Sequence, residues 1–345
     1  MFGKSKTEAS YEAPSDSQSR ENMRTDVDLP VAIPATVRPE RKKDFPVINY
    51  IIGSQKPEKA AAKPDWRSWK NTEFTASWIG QSTVLINFFG TWILTDPIFS
   101  ERCGPRPLGV VTFGPRRLVE PALEINDLPR IDLLLISHAH MDHTDMPSLK
   151  KLTNAKHVVV AKNTEDIYKH LKFDDLQELD WENDLSFADL EELRVEAIEV
   201  KHFGWRFPWE ACRGRNEKNG RSFNAYLVEK RDSAGNMRRF VFGGDTAYTK
   251  SFAKIGERMR LFGEKIDLAI MPIGTYNPWI GGHCNPEQSW QMTEEMNAET
   301  ILPIHWNTFT QSSEPRYEPI EWLQNVVQDH ERIAAKEIGA TWNIE

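Results

Sequence analysis

The sequence predicts a layered α/β protein with its sheets packed inside. Three features carry that prediction. Short β-like runs follow one another from residue 74 to residue 305, helical patterns lie between the later runs, and no linker interrupts them. FTASWIG (74–80), STVLINFF (82–89) and TWILTD (91–96) are close enough to be antiparallel strands joined by tight turns, with Gly90 in one turn. IDLLLIS (131–137) and HVVVA (157–161) come next. LRVEAIEV (193–200), FNAYLVE (223–229), RRFVFGG (238–244), IDLAIMP (266–272) and TILPIH (300–305) complete the strand set. A helix start is legible at 285: Asn285 caps, Pro286 takes the first helical position and Gln288 the third. Residues 319–335 set Ile320, Leu323, Val326, Val327 and Ile333 on one helical stripe.

Residues 1–45 are rich in Ser, Glu, Lys, Arg and Pro, with few aliphatics before Val31. That composition buries too little apolar surface to offset chain ordering, so a disordered tail is expected. The run at 46–52 is apolar and able to dock, and KPEKAAAKPD (56–65) reads as a linker. The expected organisation is a tail and linker over 1–65 and one large domain over 66–345. Lys+Arg 43 against Asp+Glu 51 gives a formal net charge of −8, which argues against a nucleic-acid partner. No run approaches the ~18 apolar residues of a membrane span, and the first 30 residues hold no apolar signal core. The 3 cysteines, Cys103, Cys212 and Cys284, are too scattered for a disulfide framework or a Cys-rich zinc module. A reducing, cytoplasmic setting is the expectation.

The densest chemistry is His138-Ala-His140-Met-Asp142-His143-Thr-Asp145, directly after IDLLLIS. A strand that ends in such residues places them on a loop held by a rigid scaffold. His138 and His140 are two apart, so on extended backbone their side chains leave the same face and can share an ion. Asp142 and His143 lie on the turn and can aim at a second ion. Imidazoles with a carboxylate are the donor set that suits zinc. One cluster cannot complete two coordination spheres. Further metal-capable residues stand at other strand ends: Asp96 after TWILT, His202 after LRVEAIEVK, Asp245 after RRFVFGG and His305 after TILPI. Gly243 and Gly244 permit close backbone approach before Asp245. Strand-end loops on one edge of a sheet are where α/β folds build their sites.

The pattern resembles the metallo-β-lactamase fold, and within it the N-acylphosphatidylethanolamine-hydrolysing phospholipase D group. TASWIGQSTVLI (75–86), LTDPIFSERCGP (94–105), GPRRL (114–118), LLISHAHMDHTD (134–145), FGGDTAY (242–248), MPIGTYNP (271–278), the His283–Glu287 segment and IHWNTF (304–309) carry the resemblance. The H-x-H-x-D-H element belongs to the whole superfamily. Thr95 to Ser100 and Ile304 to Trp306 point to the subgroup. The resemblance implies a four-layer αββα sandwich with a binuclear metal site at the strand ends. It implies that His138, His140 and His202 hold the first of two zinc ions, that Asp142, His143 and His305 hold the second, and that Asp245 bridges them. Iron and manganese are the alternative metals. Asp96 and Asp145 would stand behind the ligands and orient histidines, with helix capping as the other role open to Asp145. His283 matches a position on the substrate side of the metals, or is a loop histidine before a helix. Asp142, Asp245 and His283 are the residues expected to act in the reaction. The implied reaction is phosphodiester hydrolysis by water that two zinc ions acidify to a pKa of about 7. No G-x-S-x-G elbow competes, and no cysteine sits beside a plausible base.

The loop at 203–215 carries Phe203, Trp205, Phe207 and Trp209 with Arg206, Arg213 and Arg215. It either walls the site, taking an apolar chain and an anionic head, or is an aromatic-packed loop with solvated charges. Arg106, Arg116 and Arg117 form a second basic set, expected to be solvated. The expected partner is a small-molecule or lipid substrate with an anionic group. A peripheral membrane contact and a homodimer stay open, although no amphipathic basic helix is evident. The competing functions are a zinc lactonase or carboxyl-ester hydrolase on the same fold, and a non-catalytic or redox superfamily member. The last is disfavoured, because no ligand position is missing and His140 stands where the diiron oxygen reductases carry Glu.

Overall fold

Runs of β-branched and aromatic residues with short turns build two mixed sheets in the computed structural model, which describes residues 56–109, 111–210 and 220–344. The expected tail over 1–45, the apolar run at 46–52, Cys212, Arg213 and Arg215 lie outside the described residues. The first sheet holds β1 (Phe74–Gly80), β2 (Thr83–Phe88), β3 (Thr91–Thr95), β4 (Leu133–Ile136), β5 (His157–Ala161) and β6 (Leu176–Leu179). Strands β1 to β3 pair antiparallel and β3 to β6 pair in parallel. The second sheet holds β7 (Asp184–Phe187), β8 (Leu193–Ile198), β9 (Ala225–Arg231), β10 (Met237–Phe242), β11 (Ile266–Pro272) and β12 (Ala298–Ile304). Here β7 to β10 alternate and β10 to β12 are parallel. A last strand, β13 (Thr341–Ile344), returns to the first sheet and pairs antiparallel with β1.

The two sheets close on one core. Phe74 and Phe88 of the first meet Phe240 of the second at 5.7 and 5.1 Å between ring centroids. Polar groups that cross the layer are satisfied there. Tyr226 Oη donates to the Ile136 carbonyl at 2.9 Å. The buried Lys230 Nζ donates to the Phe89 carbonyl at 3.0 Å and to Thr91 Oγ1 at 2.8 Å. Strands β4 and β11 are buried along their whole length, as their unbroken apolar sequences require. The two sheets are the two inner layers of the sandwich that the sequence implies.

Helices flank the sheets: α1 (Met146–Leu149), α2 (Glu165–Tyr168), α3 (Ser251–Leu261), α4 (Pro286–Glu295) and α5 (Glu318–Val326). Helix α2 packs on β6, α4 packs on β11 and β12, and α3 and α5 pack on α4. The start of α4 is as the sequence reads: Asn285 Oδ1 accepts from Gln288 N at 2.8 Å, and Gln288 Oε1 accepts from Asn285 N at 3.2 Å. No helix among the described residues is long and apolar enough to cross a membrane.

Three expectations change. The stripe at 319–335 is not one helix. Val327 turns extended at φ −86°, ψ 110°, and Asp329 caps a separate 3-10 turn by accepting from Glu331 N at 3.0 Å. Ile333 is buried because it bridges Ile301 beside β12, so the stripe counted residues of two elements. Strands β6, β7 and β13 carry no strong apolar alternation, and their backbone pairing alone defines them. Residues 56–65 run along the body rather than free of it. Glu58 N donates to the Leu118 carbonyl and its own carbonyl accepts from Glu120 N, both at 2.8 Å, and Trp66 Nε1 donates to the Asp127 carbonyl at 2.7 Å.

Helix α3 crosses α4 at Gly256, where a Cβ would lie 1.8 Å from the Glu295 carbonyl oxygen. Replacing Gly by Ala inside a helix gains roughly 1 kcal/mol of propensity, but overpacking against backbone costs about 1–3 kcal/mol and a carbonyl cannot swing aside. Gly256→Ala is therefore expected to lower stability by up to about 2 kcal/mol net. Urea unfolding measures it, and a stabilised variant would refute the packing argument.

Candidate metal centre

The candidate donors gather at one edge of the sandwich because of strand direction. Strands β1, β3 and β4 run one way in the first sheet, and β8, β10, β11 and β12 run one way in the second. Asp96 follows β3, His138 lies just past β4, His202 past β8, Asp245 past β10, and His305 follows β12. Gly244 lets β10 approach the other sheet. Its φ is +55°, and a Cβ there would lie 2.7 Å from Ser137 Cβ. This close contact brings Asp245 beside the His138 turn.

Three sets of donor atoms result, the ligand atoms of each within 4.8 Å of one another. One is Asp96, His138 and His143; the other two are His138, His140, His202 and Asp245, and Asp142, His143, Asp245 and His305. Asp245 belongs to both of the larger sets. Its Oδ2 lies 3.0 Å from His143 Nε2, 3.3 Å from His305 Nε2, 3.8 Å from His202 Nε2 and 3.9 Å from His138 Nε2. Asp142 Oδ2 is 3.3 Å from His143 Nε2 and 3.2 Å from His305 Nε2. The two larger sets are the groupings that the sequence resemblance implies, residue for residue.

The surroundings decide which ring nitrogens face the centre. Asp96 is buried and accepts from Ser137 N and His143 Nδ1 at 2.7 Å, and from Ser137 Oγ at 2.5 Å. His143 Nδ1 therefore carries the proton, and its Nε2 lone pair faces inward. Since Ser137 Oγ gives its hydrogen to Asp96, it can only accept from His138 Nδ1 at 2.9 Å, which turns the His138 Nε2 lone pair inward too. His202 Nδ1 donates to the Gly282 carbonyl at 2.7 Å, with the same effect. The inward nitrogens of His138 and His140 then stand 2.9 Å apart, and those of His143 and His305 3.2 Å apart. Facing lone pairs at such distances need a proton or a cation between them. Buried carboxylates and imidazoles at this spacing fit divalent metal.

The carboxylates are ionised. Burial opposes their charge, but His143 and the other neighbouring histidines outweigh it and hold Asp142 and Asp245 well below the usual carboxylate range. Burial pushes the rings of His138, His140 and His202 down. It also acts against charge on His143 and His305, where Asp245 and Asp142 prevail and raise both rings, His305 to about 9.

Two of the remaining candidates sit differently. Asp145 orients no histidine. Its Oδ2 accepts from Ser100 Oγ at 2.7 Å and Ser148 Oγ at 2.5 Å, tying the first turn of α1 to the loop after β3. His283 is 6% exposed, with Nδ1 3.8 Å from Asp245 Oδ2 and no hydrogen-bond partner on that atom. At the mouth, Phe203 stacks on His202 at 4.6 Å and Trp205 stacks on Phe203 at 5.6 Å. Trp205 and Trp279 reach solvent.

Among the described arginines, Arg117, Arg116 and Arg206 are engaged elsewhere. Arg117 is buried rather than solvated, donating to the carbonyls of Ile98, Ser100 and Val119. Arg116 pairs with Glu101. Arg206 donates to backbone carbonyls of the His138–Asp145 turn. Sequence reasoning missed Gln81 and Gln311, whose Nε2 atoms donate to Asp142 Oδ2 at 2.9 and 2.8 Å. It also missed Ser137 and Thr275, the latter 3.2 Å from His305 Nδ1. Gln81 lies inside TASWIGQSTVLI, which was a usable signal. Gln311 has none.

A family model described as the Beta-lactamase superfamily domain matches residues 91–306. An uncharacterized protein of Mycobacterium tuberculosis is 32% identical over 271 residues, 76% of this chain and 66% of that protein, so the chain spans just under two thirds of its length. The N-acyl-phosphatidylethanolamine-hydrolyzing phospholipase D 1 of Caenorhabditis elegans is 27% identical over 309 residues, 86% of this chain and 81% of that protein. The crystal structure of an isothiocyanate hydrolase from Delia radicum gut bacteria matches with a TM-score of 0.58 at 17% identity, covering 78% of this chain and 98% of that one. At that identity the likeness speaks for the fold alone.

The raised ring of His305 makes a pH prediction. Without metal, the folded ring binds its proton more tightly than the unfolded one. That contribution to stability is complete below about pH 6.5 and is lost as pH rises through about 9. Metal needs the neutral ring, so at fixed free zinc the stabilisation by the ion should grow over the same window. Thermal unfolding of chelated wild type against chelated His305→Gln, from pH 6 to 9, measures the first effect. A wild-type advantage that rises with pH would contradict it.

Proposed function

The chain belongs to the beta-lactamase superfamily, and we propose that it is a zinc-dependent phosphodiesterase that holds two ions and cleaves a lipid-like substrate with an anionic group. One observation carries the reading: two donor sets meet at a shared carboxylate, Asp245, on the strand-end edge of this fold. The phosphodiester choice is supported by the Caenorhabditis elegans relative, an N-acyl-phosphatidylethanolamine-hydrolyzing phospholipase D.

In this reading His138, His140 and His202 hold one ion, Asp142, His143 and His305 the other, and Asp245 both. When bound, zinc supplies an acidified water, with a pKa of about 7, and positive charge for the oxygens of the reacting group. The chain's own residues do the rest. Asp96, Ser137 and the Gly282 carbonyl fix the rings in advance, so little reorganisation is left for the reaction. Gln81 and Gln311 hold Asp142 by two donated hydrogen bonds. Burial pushes His283 down to about 3, so its ring is neutral at working pH. It serves as a hydrogen-bonding group toward a substrate oxygen rather than as an imidazolium. Phe203 and Trp205 offer an apolar wall for an acyl chain, and their stacking keeps water from His202 and His140.

Zinc-loaded protein is expected to cleave N-acylphosphatidylethanolamine or a chromogenic phosphodiester, to lose that activity to a chelator and to regain it with zinc. Turnover of lactones or carboxyl esters with no phosphodiester cleavage would move the protein to the lactonase reading. His283→Ala is expected to lower kcat/KM by roughly 10²-fold, the size of a lost preorganised hydrogen bond, with its zinc content unchanged. Full activity in that variant would remove His283 from the reaction.

A further inference from the structure

We infer that Arg206 is a positioning residue: it clamps the His138–Asp145 turn from behind and so sets how tightly the centre holds metal. The inference rests on the metal-centre reading above. Arg206 Nη1 donates to the Ala139 carbonyl at 2.6 Å and to the Thr144 carbonyl at 3.1 Å. Ala139 lies between the donors His138 and His140, and Thr144 directly follows the donor His143. One guanidinium nitrogen thus ties together both ends of the turn that supplies most of the donors. The turn also carries cross-links of its own: Thr144 Oγ1 donates to the His138 carbonyl at 2.7 Å and Thr144 N to the His140 carbonyl at 2.8 Å.

The clamp is itself anchored. Glu210 Oε2 accepts from Arg206 N at 2.8 Å and Phe207 N at 3.2 Å. Glu210 is 5% exposed and is paired with Arg221 at 2.8 Å. Arg221 in turn pairs with Asp166 at 2.6 Å and donates to the Asn163 carbonyl at 3.2 Å. The loop that carries Arg206 begins at His202, a candidate ligand. It therefore offers one donor at its start and braces the other donors four residues later. A lysine at 206 ends one bond short of the guanidinium nitrogen, so its ammonium reaches the two carbonyls less well.

The test is titration of metal-free wild type, Arg206→Met, Arg206→Lys and Glu210→Gln with cobalt(II), followed by visible absorption. Zinc competition against a chromogenic chelator gives affinities, and circular dichroism with apo-protein melting reports folding. Groups that orient metal ligands typically affect affinity by about 10–100-fold. Folded Arg206→Met is expected to bind cobalt that much more weakly and with an altered ligand-field spectrum. Arg206→Lys should fall between it and wild type, and Glu210→Gln should show a smaller weakening. A merely structural role would lower the melting temperature and leave spectrum and affinity untouched. Wild-type affinity and spectrum in folded Arg206→Met would overturn the inference. If that variant does not fold, the same result in both Arg206→Lys and Glu210→Gln overturns it. If wild type takes up no cobalt or zinc, the metal-centre reading fails and this inference with it. If wild type binds and the variants match it, the inference about Arg206 fails alone.

Discussion

One buried carboxylate oxygen organises the rest of the molecule. Asp245 Oδ2 is approached by His138, His143, His202, His283 and His305, drawn from both sheets. Removing one partner of a buried charge leaves the other uncompensated, at a cost of about 3–5 kcal/mol. Three features at this edge of the sandwich serve that requirement. The parallel runs of each sheet aim their ends the same way, Gly244 admits Asp245 to the neighbouring sheet, and Asp96 fixes the ring that comes nearest.

The backbone yields where these side chains must converge. Gln81, Asp96, Thr275 and His305 all adopt positive φ, at 52°, 29°, 65° and 63°. Such conformations cost of order 1–3 kcal/mol each for residues other than glycine. The surrounding contacts hold them in place. Thr308 Oγ1 accepts from Gln81 N at 2.7 Å, and the Gln81 carbonyl accepts from His305 N at 3.0 Å. The turn between β1 and β2 and the end of β12 therefore fix one another. Gln81 touches Asp142 and His305 follows β12, so strain on both sides of the centre is balanced through one backbone contact.

How much of this was legible in the sequence depends on whether a residue announces its chemistry. His138, His140, Asp142, His143, His202, Asp245 and His305 are metal-capable types at strand ends, and they meet in the structure as grouped. Asp96 is legible for the same reason. Asp145 left two roles open, because its position beside the ligands is sequential. Its carboxylate turns to two serine hydroxyls. Arg206 and Arg117 misled because charge suggests solvent or substrate, whereas each satisfies backbone carbonyls of a bent loop. The strands β6, β7 and β13 were unreadable because edge pairing is a backbone property with little demand on side chains. The stripe over α5 failed because a helical face and a bridged extended residue can bury the same side chains.

The order of the donors along the chain has a consequence for how the centre comes into being. His138, His140, Asp142 and His143 are local to one turn, but Asp245 and His305 come from far downstream. Ordering them requires closing long loops before any contact repays it in stability. During synthesis the first turn leaves the ribosome with its imidazoles and carboxylate exposed and without the downstream carboxylate that joins the two sets. An ion captured then would sit in a partial site from which it exchanges readily. Retention would begin only when β12 has docked beside β11 and His305 has turned inward. The finished centre is in this sense a record of complete folding.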